Sequence, residues 1–350
     1  MRRISPGRTV VLLSAVIVLV GCKRQDQPQA STAPAGQEVV VYTALDRQFS
    51  EPILSEFTAK TGIEARAVYD TESTKTVGLA NRIRAEANRP RCDVFWNNEI
   101  LNTLRLKAEG LLQPCQPSQA SNYPAHYRDP EGHWYGFAAR ARVIIVNTEL
   151  VKPKELPTSV SDLAKPKWRG RAGIAKPLFG TTASHVACLF ALLGEDEAKA
   201  LLTSLKENDI QVVAGNKTCA EMVGAGRLAA GLTDTDDALI ELEAGKPVKI
   251  VFPDGSEDGV GTLLLPNTLA VVKGAPHAQA AVRLIDYLLS PEVEAKLAAG
   301  PSAQIPLNRQ TKATSRVGDL REIRQMEVDF AQAAECFAAA AEYIEQEFLK

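Results

Sequence analysis

Apolar positions along residues 38–300 follow two alternating spacings. Short apolar runs bounded by turn residues predict strands at Val39-Val40-Val41-Tyr42, at residues 63–69 and at Cys92-Asp93-Val94-Phe95-Trp96. Between the first two, Phe49, Ile53, Leu54 and Phe57 recur at steps of three or four, which predicts a helix over residues 47–60 that Thr61-Gly62 ends. Residues 75–88 carry a second helical pattern. This β-α-β-α-β order calls for a parallel sheet with helices on its faces. The alternation continues with strands at 173–175, 210–213, 228–233 and 248–252, and a short helix start over 156–164. Helices are expected at 182–193, 196–207, 218–226, 276–289 and 291–299. Residues 319–348 read as one long amphipathic helix, with Met326, Phe330, Ala334, Phe337 and Tyr343 on or near one stripe. Two runs, at 136–147 and 262–273, are long enough to cross from one α/β unit to another. They divide the folded body into two lobes, 38–137 plus 267–350 and 138–266.

The first residues follow a different logic. Arg2, Arg3 and Arg8 precede the apolar run from Thr9 to Val20, the layout of an export signal. Leu19-Val20-Gly21-Cys22 then resembles a bacterial lipobox, which implies removal of residues 1–21 and lipid on the Cys22 thiol. Residues 22–37 are rich in Gln, Ala and Pro without apolar period, as suits a flexible tether. The chain of 350 residues has a net charge of −2, so it lacks the basic excess that nucleic-acid binding needs. Five cysteines follow Cys22; export permits pairing, and Cys92–Cys115 and Cys188–Cys219 are plausible partners. The four histidines show no metal-hydrolase spacing, and no nucleophile-elbow or phosphate-loop motif occurs, which argues against an enzyme.

Several stretches read together as one pattern: VVVYTALD at 39–46, CDVFWNNE at 92–99, GFAARARVIIVN at 136–147, DLAKPKWRGRAGIAKP at 162–177, GLTDTDDA at 231–238 and GTLLLPNTLAVVKGAPH at 261–277. The chain resembles the extracellular solute-binding proteins of ABC importers, and within them the ferric-iron-binding branch. The resemblance implies an α/β type II periplasmic-binding fold: two lobes, a ligand cleft and a two-strand hinge. It implies a lipid-anchored, monomeric carrier outside the cytoplasmic membrane whose partners are an ABC permease and its ATPase. A sensor lipoprotein is the other non-enzyme reading.

In that family one pole of the cleft holds an anion. Arg140 takes the place of the anion-holding arginine, with Arg142 on the same strand face. Thr181, Thr182 and Asn216 stand at helix starts, where unsatisfied N–H groups and the dipole attract anions. Ser73 and Thr74 form a third such start from the other lobe. Plain helix capping would use the same residue types. The opposite pole is acidic. Ferric-binding relatives use a tyrosine pair, but here the matching segment is Asp234-Thr235-Asp236-Asp237. The first-loop ligand falls at Asp46, and the family's nearby acid falls at Asn98 with Glu99 beside it. Crowded carboxylates need a compensating cation, either a hard metal or a ligand ammonium, unless they form a solvated, helix-capping turn. Fe(III) with phosphate or carbonate is the first expectation, and an organophosphonate, sugar phosphate or similar compound the alternative. Tyr42, Tyr69, Trp96 and Tyr135 are further candidates to line the cleft.

Overall fold

Strand β1 (Glu38–Thr43) pairs in parallel with β2 (Glu64–Tyr69) on one side and β3 (Val94–Asn97) on the other. The computed structural model describes Met1 and residues 37–70, 76–318 and 323–350, and all that follows concerns the body from residue 37 onward. The export signal, most of the tether, Cys22, Ser73 and Thr74 lie outside the described residues. Helix α1 (Arg47–Thr61) buries Phe49, Ile53, Leu54 and Phe57, the stripe that the spacing predicts. Gly62 ends it at φ +73°, where its N–H bonds to the Thr58 carbonyl at 2.9 Å, a left-handed cap that suits glycine. Helix α2 (Val77–Ala85) follows β2. Helix α3 (Leu101–Ala108), which the apolar spacing does not single out, follows β3 and leads to the short β4 (Leu112–Gln113).

Strand β5 (Tyr135–Asn147) is buried along its whole length, so it shows no apolar-polar alternation. Beyond it come β6 (Ala172–Ala175), α4 (Gly180–Leu193), α5 (Glu195–Glu207), β7 (Gln211–Val213) and α6 (Asn216–Gly224). Then follow β8 (Ala230–Asp234), α7 (Thr235–Glu243), β9 (Val248–Val251) and β10 (Leu264–Val272). Helices α8 (Ala278–Leu288), α9 (Pro291–Ala299) and α10 (Phe330–Tyr343) complete the chain. The expected helix start over 156–164 is instead a set of three-residue and four-residue 3-10 turns.

The strands run in the order β2-β1-β3-β10-β5-β8-β6-β7, with β4 on β10 and β9 on β5. The two long strands meet at the middle of this path. From Tyr135 to Ala141 β5 pairs with β10; from Arg142 onward it pairs with β8 and β9. One strand therefore belongs to both lobes. The register between β5 and β10 shifts at Leu265/Asn267, around Pro266, which has no N–H for the ladder. Opposite that shift Ala138 sits at φ +42°, a strained conformation for a residue with a Cβ. Its N–H donates to Glu294 Oε1 at 2.7 Å, and its carbonyl accepts from Asn267 Nδ2. The buried Glu294 carboxylate of α9 also accepts from the Leu307 and Asn308 N–H groups and the Thr311 hydroxyl.

Two sequence expectations change at this level. The final helix begins at Phe330, not at 319; residues 319–322 lie outside the described set. Ahead of it, Thr262 exchanges backbone bonds with Arg324 and Met326, which holds that stretch extended. The Asp329 carboxylate then caps α10 at the Ala331 and Gln332 N–H groups. Helix α10 packs on α4 and α3, and Tyr343 reaches the Thr203 hydroxyl of α5 at 2.8 Å. The five cysteines after Cys22 are free thiols. Cys92 donates to the Val94 carbonyl, while Cys219 packs over the bare backbone of Gly231, where a Cβ would come within 2.4 Å of its sulfur. Among the described residues no helix is long and apolar enough to cross a membrane.

Replacing Glu294 with Ala would strand three buried N–H groups, those of Ala138, Leu307 and Asn308. At about 1–3 kcal/mol per orphaned donor, urea unfolding should show a loss of at least ~3 kcal/mol. A loss below ~1 kcal/mol would deny Glu294 this role.

Candidate binding cleft

The cleft lies where strands end and helices begin, the usual place for a ligand on an α/β sheet. Asp46 follows β1, Asn98 follows β3, Lys176 follows β6, and Asp236 and Asp237 open α7 after β8. Arg140 projects from β5, just before that strand changes partners. Together with Thr181, Thr182, Asn216 and Asp234 these residues line one cavity of about 30 Å³.

The electrostatics begin with two arginines on one strand face. Arg142 is fully buried and stands directly opposite Asp234 in the β5–β8 register. Its Nη1 donates to Asp234 Oδ1 at 2.7 Å, to Asn216 Oδ1 at 3.0 Å and to the Thr181 hydroxyl at 3.2 Å, and Nη2 reaches the Thr182 hydroxyl. Asp234 Oδ2 accepts from the Thr181 hydroxyl at 2.6 Å and from Asn216 Nδ2 at 3.0 Å. The Thr182 hydroxyl donates to Asn216 Oδ1 at 3.0 Å. Burial alone would raise the Asp234 pKa, but Arg142, Arg140 and the hydrogen bonds hold it below the ordinary carboxylate value.

Arg140 lies nearer the cavity. Its Nη1 is 3.3 Å from Asp236 Oδ2 and 3.8 Å from Asp234 Oδ2. Burial works against its charge, but Asp236, Asp234, Asp46 and Asp237 outweigh that and raise its pKa. Asp234, Asp236 and Asp237 each offer a carboxylate oxygen within 4.8 Å of the others. Asp234 is the N-cap residue of α7, yet its side chain does not cap the helix, nor does that of Asp46 cap α1. The capping account of these aspartates therefore fails for the two positions best placed to use it. A second acidic group, Asp129, Glu131 and His133, differs in kind: the Lys107 ammonium already bridges Asp129 and Glu131.

The structure brings Asp46, Asp236, Asp237, Arg140, Thr181, Thr182 and Asn216 to the wall of one cavity and changes two assignments. Glu99 does not face it. Its carboxylate accepts from the Leu101 N–H at 2.6 Å, the Asn102 N–H at 3.0 Å, Asn97 and the Ser184 hydroxyl, and so caps α3. Asp234 is engaged by Arg142 and the two helix starts before any cargo arrives. As a result, two of the side-chain donors expected to hold an anion, Thr181 and Asn216, already hold that carboxylate together with Arg142. The aromatic candidates also turn elsewhere: the Tyr42 hydroxyl bonds Glu86, the Tyr135 hydroxyl bonds the Cys115 carbonyl, Trp96 packs on Phe137, and Tyr69 lies under the Arg47 guanidinium. Sequence reasoning missed Lys176 and Phe179, which line the cavity. The visible signal was a cation just ahead of a Pro-Leu-Phe-Gly-Thr helix entry.

A family model described as bacterial extracellular solute-binding protein matches residues 102–330. Iron uptake protein A1 of Synechocystis sp. is 32% identical over 316 residues, covering 86% of each chain. The chain belongs to the bacterial extracellular solute-binding protein family. The fold agrees. Iron-bound HitA from Pseudomonas aeruginosa superposes with a TM-score of 0.79 at 24% identity, over 88% of this chain and 99% of that one. AfuA from Actinobacillus pleuropneumoniae, with exogenous fructose-6-phosphate bound, also gives 0.79, at 22% identity over 90% of this chain and 100% of that one. The binding protein therefore has the type II periplasmic-binding architecture: two α/β lobes, a ligand cleft between them, and β5 and β10 as the connecting strands.

Behind the cleft of the binding protein lies His185 of α4, 3% exposed, with neither ring nitrogen hydrogen-bonded. Burial, and then the charge of Arg142, lower its pKa to about 3. The unfolded chain takes up a proton near the ordinary histidine value, whereas the folded one does not. The neutral ring therefore contributes full stability above pH ~6.5, and that contribution is lost as pH falls toward 3. His185→Leu should flatten urea stability against pH between about 6 and 4 by up to ~1.4 kcal/mol per pH unit. Identical slopes in the two proteins would refute this.

Proposed function

We propose that this solute-binding protein captures Fe(III) outside the cytoplasmic membrane and delivers it to an ABC permease driven by its ATPase. The observation that carries this reading is the convergence of Asp46, Asp236 and Asp237 on one cavity between the lobes. Carboxylates are hard oxygen donors suited to a small, highly charged cation. Similarity to iron uptake protein A1 and to iron-bound HitA supports iron over other hard ions. A phosphorylated small molecule, such as an organophosphonate or sugar phosphate, is the reading that Arg140 and Lys176 favour, and AfuA binds such a compound. The crowding of Asp46, Asp234, Asp236 and Asp237 beside Arg140 weighs against it, because a phosphate would meet several carboxylates at the same wall.

Chelator-stripped protein should take up one equivalent of Fe(III) from a ferric chelate, read by elemental analysis. Among the described residues no tyrosine lines the cavity, so the loaded protein should lack the visible phenolate-to-iron charge-transfer band. The double change Asp236→Asn and Asp237→Asn should weaken uptake by at least roughly 100-fold, the upper range for losing even a supporting residue of a metal site. Calorimetric binding of a sugar phosphate with no metal uptake would select the second reading.

The carrier acts as a monomer held at the membrane through lipid on Cys22, with residues 22–37 as the tether. Closure brings the lobe of residues 38–137 plus 267–350 onto that of 138–266. Mass spectrometry of the membrane-bound protein should find a chain that starts at Cys22 and carries acyl groups there. A chain without that added mass would rule out the lipid anchor.

A further inference from the structure

We propose that Asp234 is a resident anion of the cleft, so that cargo loads without a companion oxyanion from solution. The inference rests on the reading of the cleft as a ferric site. Donors from β5 and from the starts of α4 and α6 surround the two oxygens of one group: the Arg142 guanidinium, the Thr181 hydroxyl and the Asn216 amide. All three converge on the Asp234 carboxylate at 2.6–3.0 Å. A carboxylate has about four acceptor positions, and these bonds use three of them. Its Oδ2 also faces Arg140 at 3.8 Å.

The consequence is steric and electrostatic together. A phosphate or carbonate approaching the same donors would meet a buried negative charge within hydrogen-bond distance of each of them. Like charges so close resist burial in a common site. Asp234 needs no capture from solution, because β8 places it opposite Arg142 by strand register. A tethered group avoids the freedom that a separate anion would lose on binding. Asp46, Asp236 and Asp237 stand beside Asp234 on the cavity wall.

The test uses thermal unfolding of the metal-free full chain together with iron loading. Phosphate and formate should leave the wild-type melting temperature unchanged. Asp234→Ala vacates the carboxylate, so both anions should raise its melting temperature by several degrees. Asp234→Asn fills the same space without the charge and should not respond. In buffers scrubbed of phosphate and carbonate, wild-type affinity for Fe(III) from nitrilotriacetate should match that in their presence within twofold. Asp234→Ala should load poorly there and recover with added formate. Anion stabilisation of the metal-free wild type, or a tenfold gain in its iron affinity on adding phosphate or bicarbonate, would overturn the proposal. Should the wild type take up no iron in any buffer, the ferric reading fails, while the melting temperatures of the metal-free proteins still decide the place of Asp234.

Discussion

A guanidinium withdrawn wholly from water is costly unless its charge and its N–H groups are met, and Arg142 is such a group. Its match is Asp234, 2.7 Å away across the β5–β8 ladder. Much of the cleft follows from that pairing. The charge pair draws in the Thr181 and Thr182 hydroxyls and the Asn216 amide, and thereby sets how α4 and α6 enter the cleft. It also occupies Asp234, which stays within reach of Asp236 and Asp237, while Arg140 faces Asp236 at 3.3 Å. Removing one partner alone would leave a buried charge unmatched, the situation that is strongly destabilising in other buried pairs.

The same strand joins the two halves mechanically. Between Ala141 and Arg142 β5 changes from β10 to β8 and β9, so the charge pair begins where the second lobe does. Three residues earlier the backbone of Ala138 is held in a strained conformation by Glu294 and Asn267. A strained residue persists only where its surroundings over-determine it. Here those surroundings are α9, β10 and the segment at 305–308. The backbone between the lobes is thus anchored at Ala138, and the binding groups project from the strand just past that anchor.

Charge balance connects the fold to cargo choice. Among the described residues of the cavity wall, Asp46, Asp234, Asp236 and Asp237 stand with Arg140 and Lys176, and Arg142 lies behind Asp234. Carboxylates outnumber cationic side chains among the described residues of that wall, which favours a positively charged cargo. Arg140 keeps the crowded carboxylates from repelling one another before the cargo arrives. Asp236 and Asp237 also sit in the first turn of α7, where the helix dipole favours negative charge.

Local pattern was enough to read most elements of the sheet and the helices around it. The stripe of Phe49, Ile53, Leu54 and Phe57, the stop at Gly62 and the long buried runs are written in periods of a few residues. The three aspartates and the threonine-bearing helix starts were equally visible. Their partners were not. Arg142 and Asp234 lie 92 positions apart, and Glu99 and Ser184 lie 85 apart. Nothing local tells whether the Glu99 carboxylate faces a cleft or caps α3, or which of three neighbouring aspartates a buried arginine claims. Nor does an amphipathic stripe show that Thr262 holds residues 324–326 extended and so delays the last helix to Phe330. Periodicity determined the elements because it reports burial along one segment. Tertiary structure alone decided the chemistry of the site, because a charge takes its partner from whatever the packed fold brings within about 3 Å.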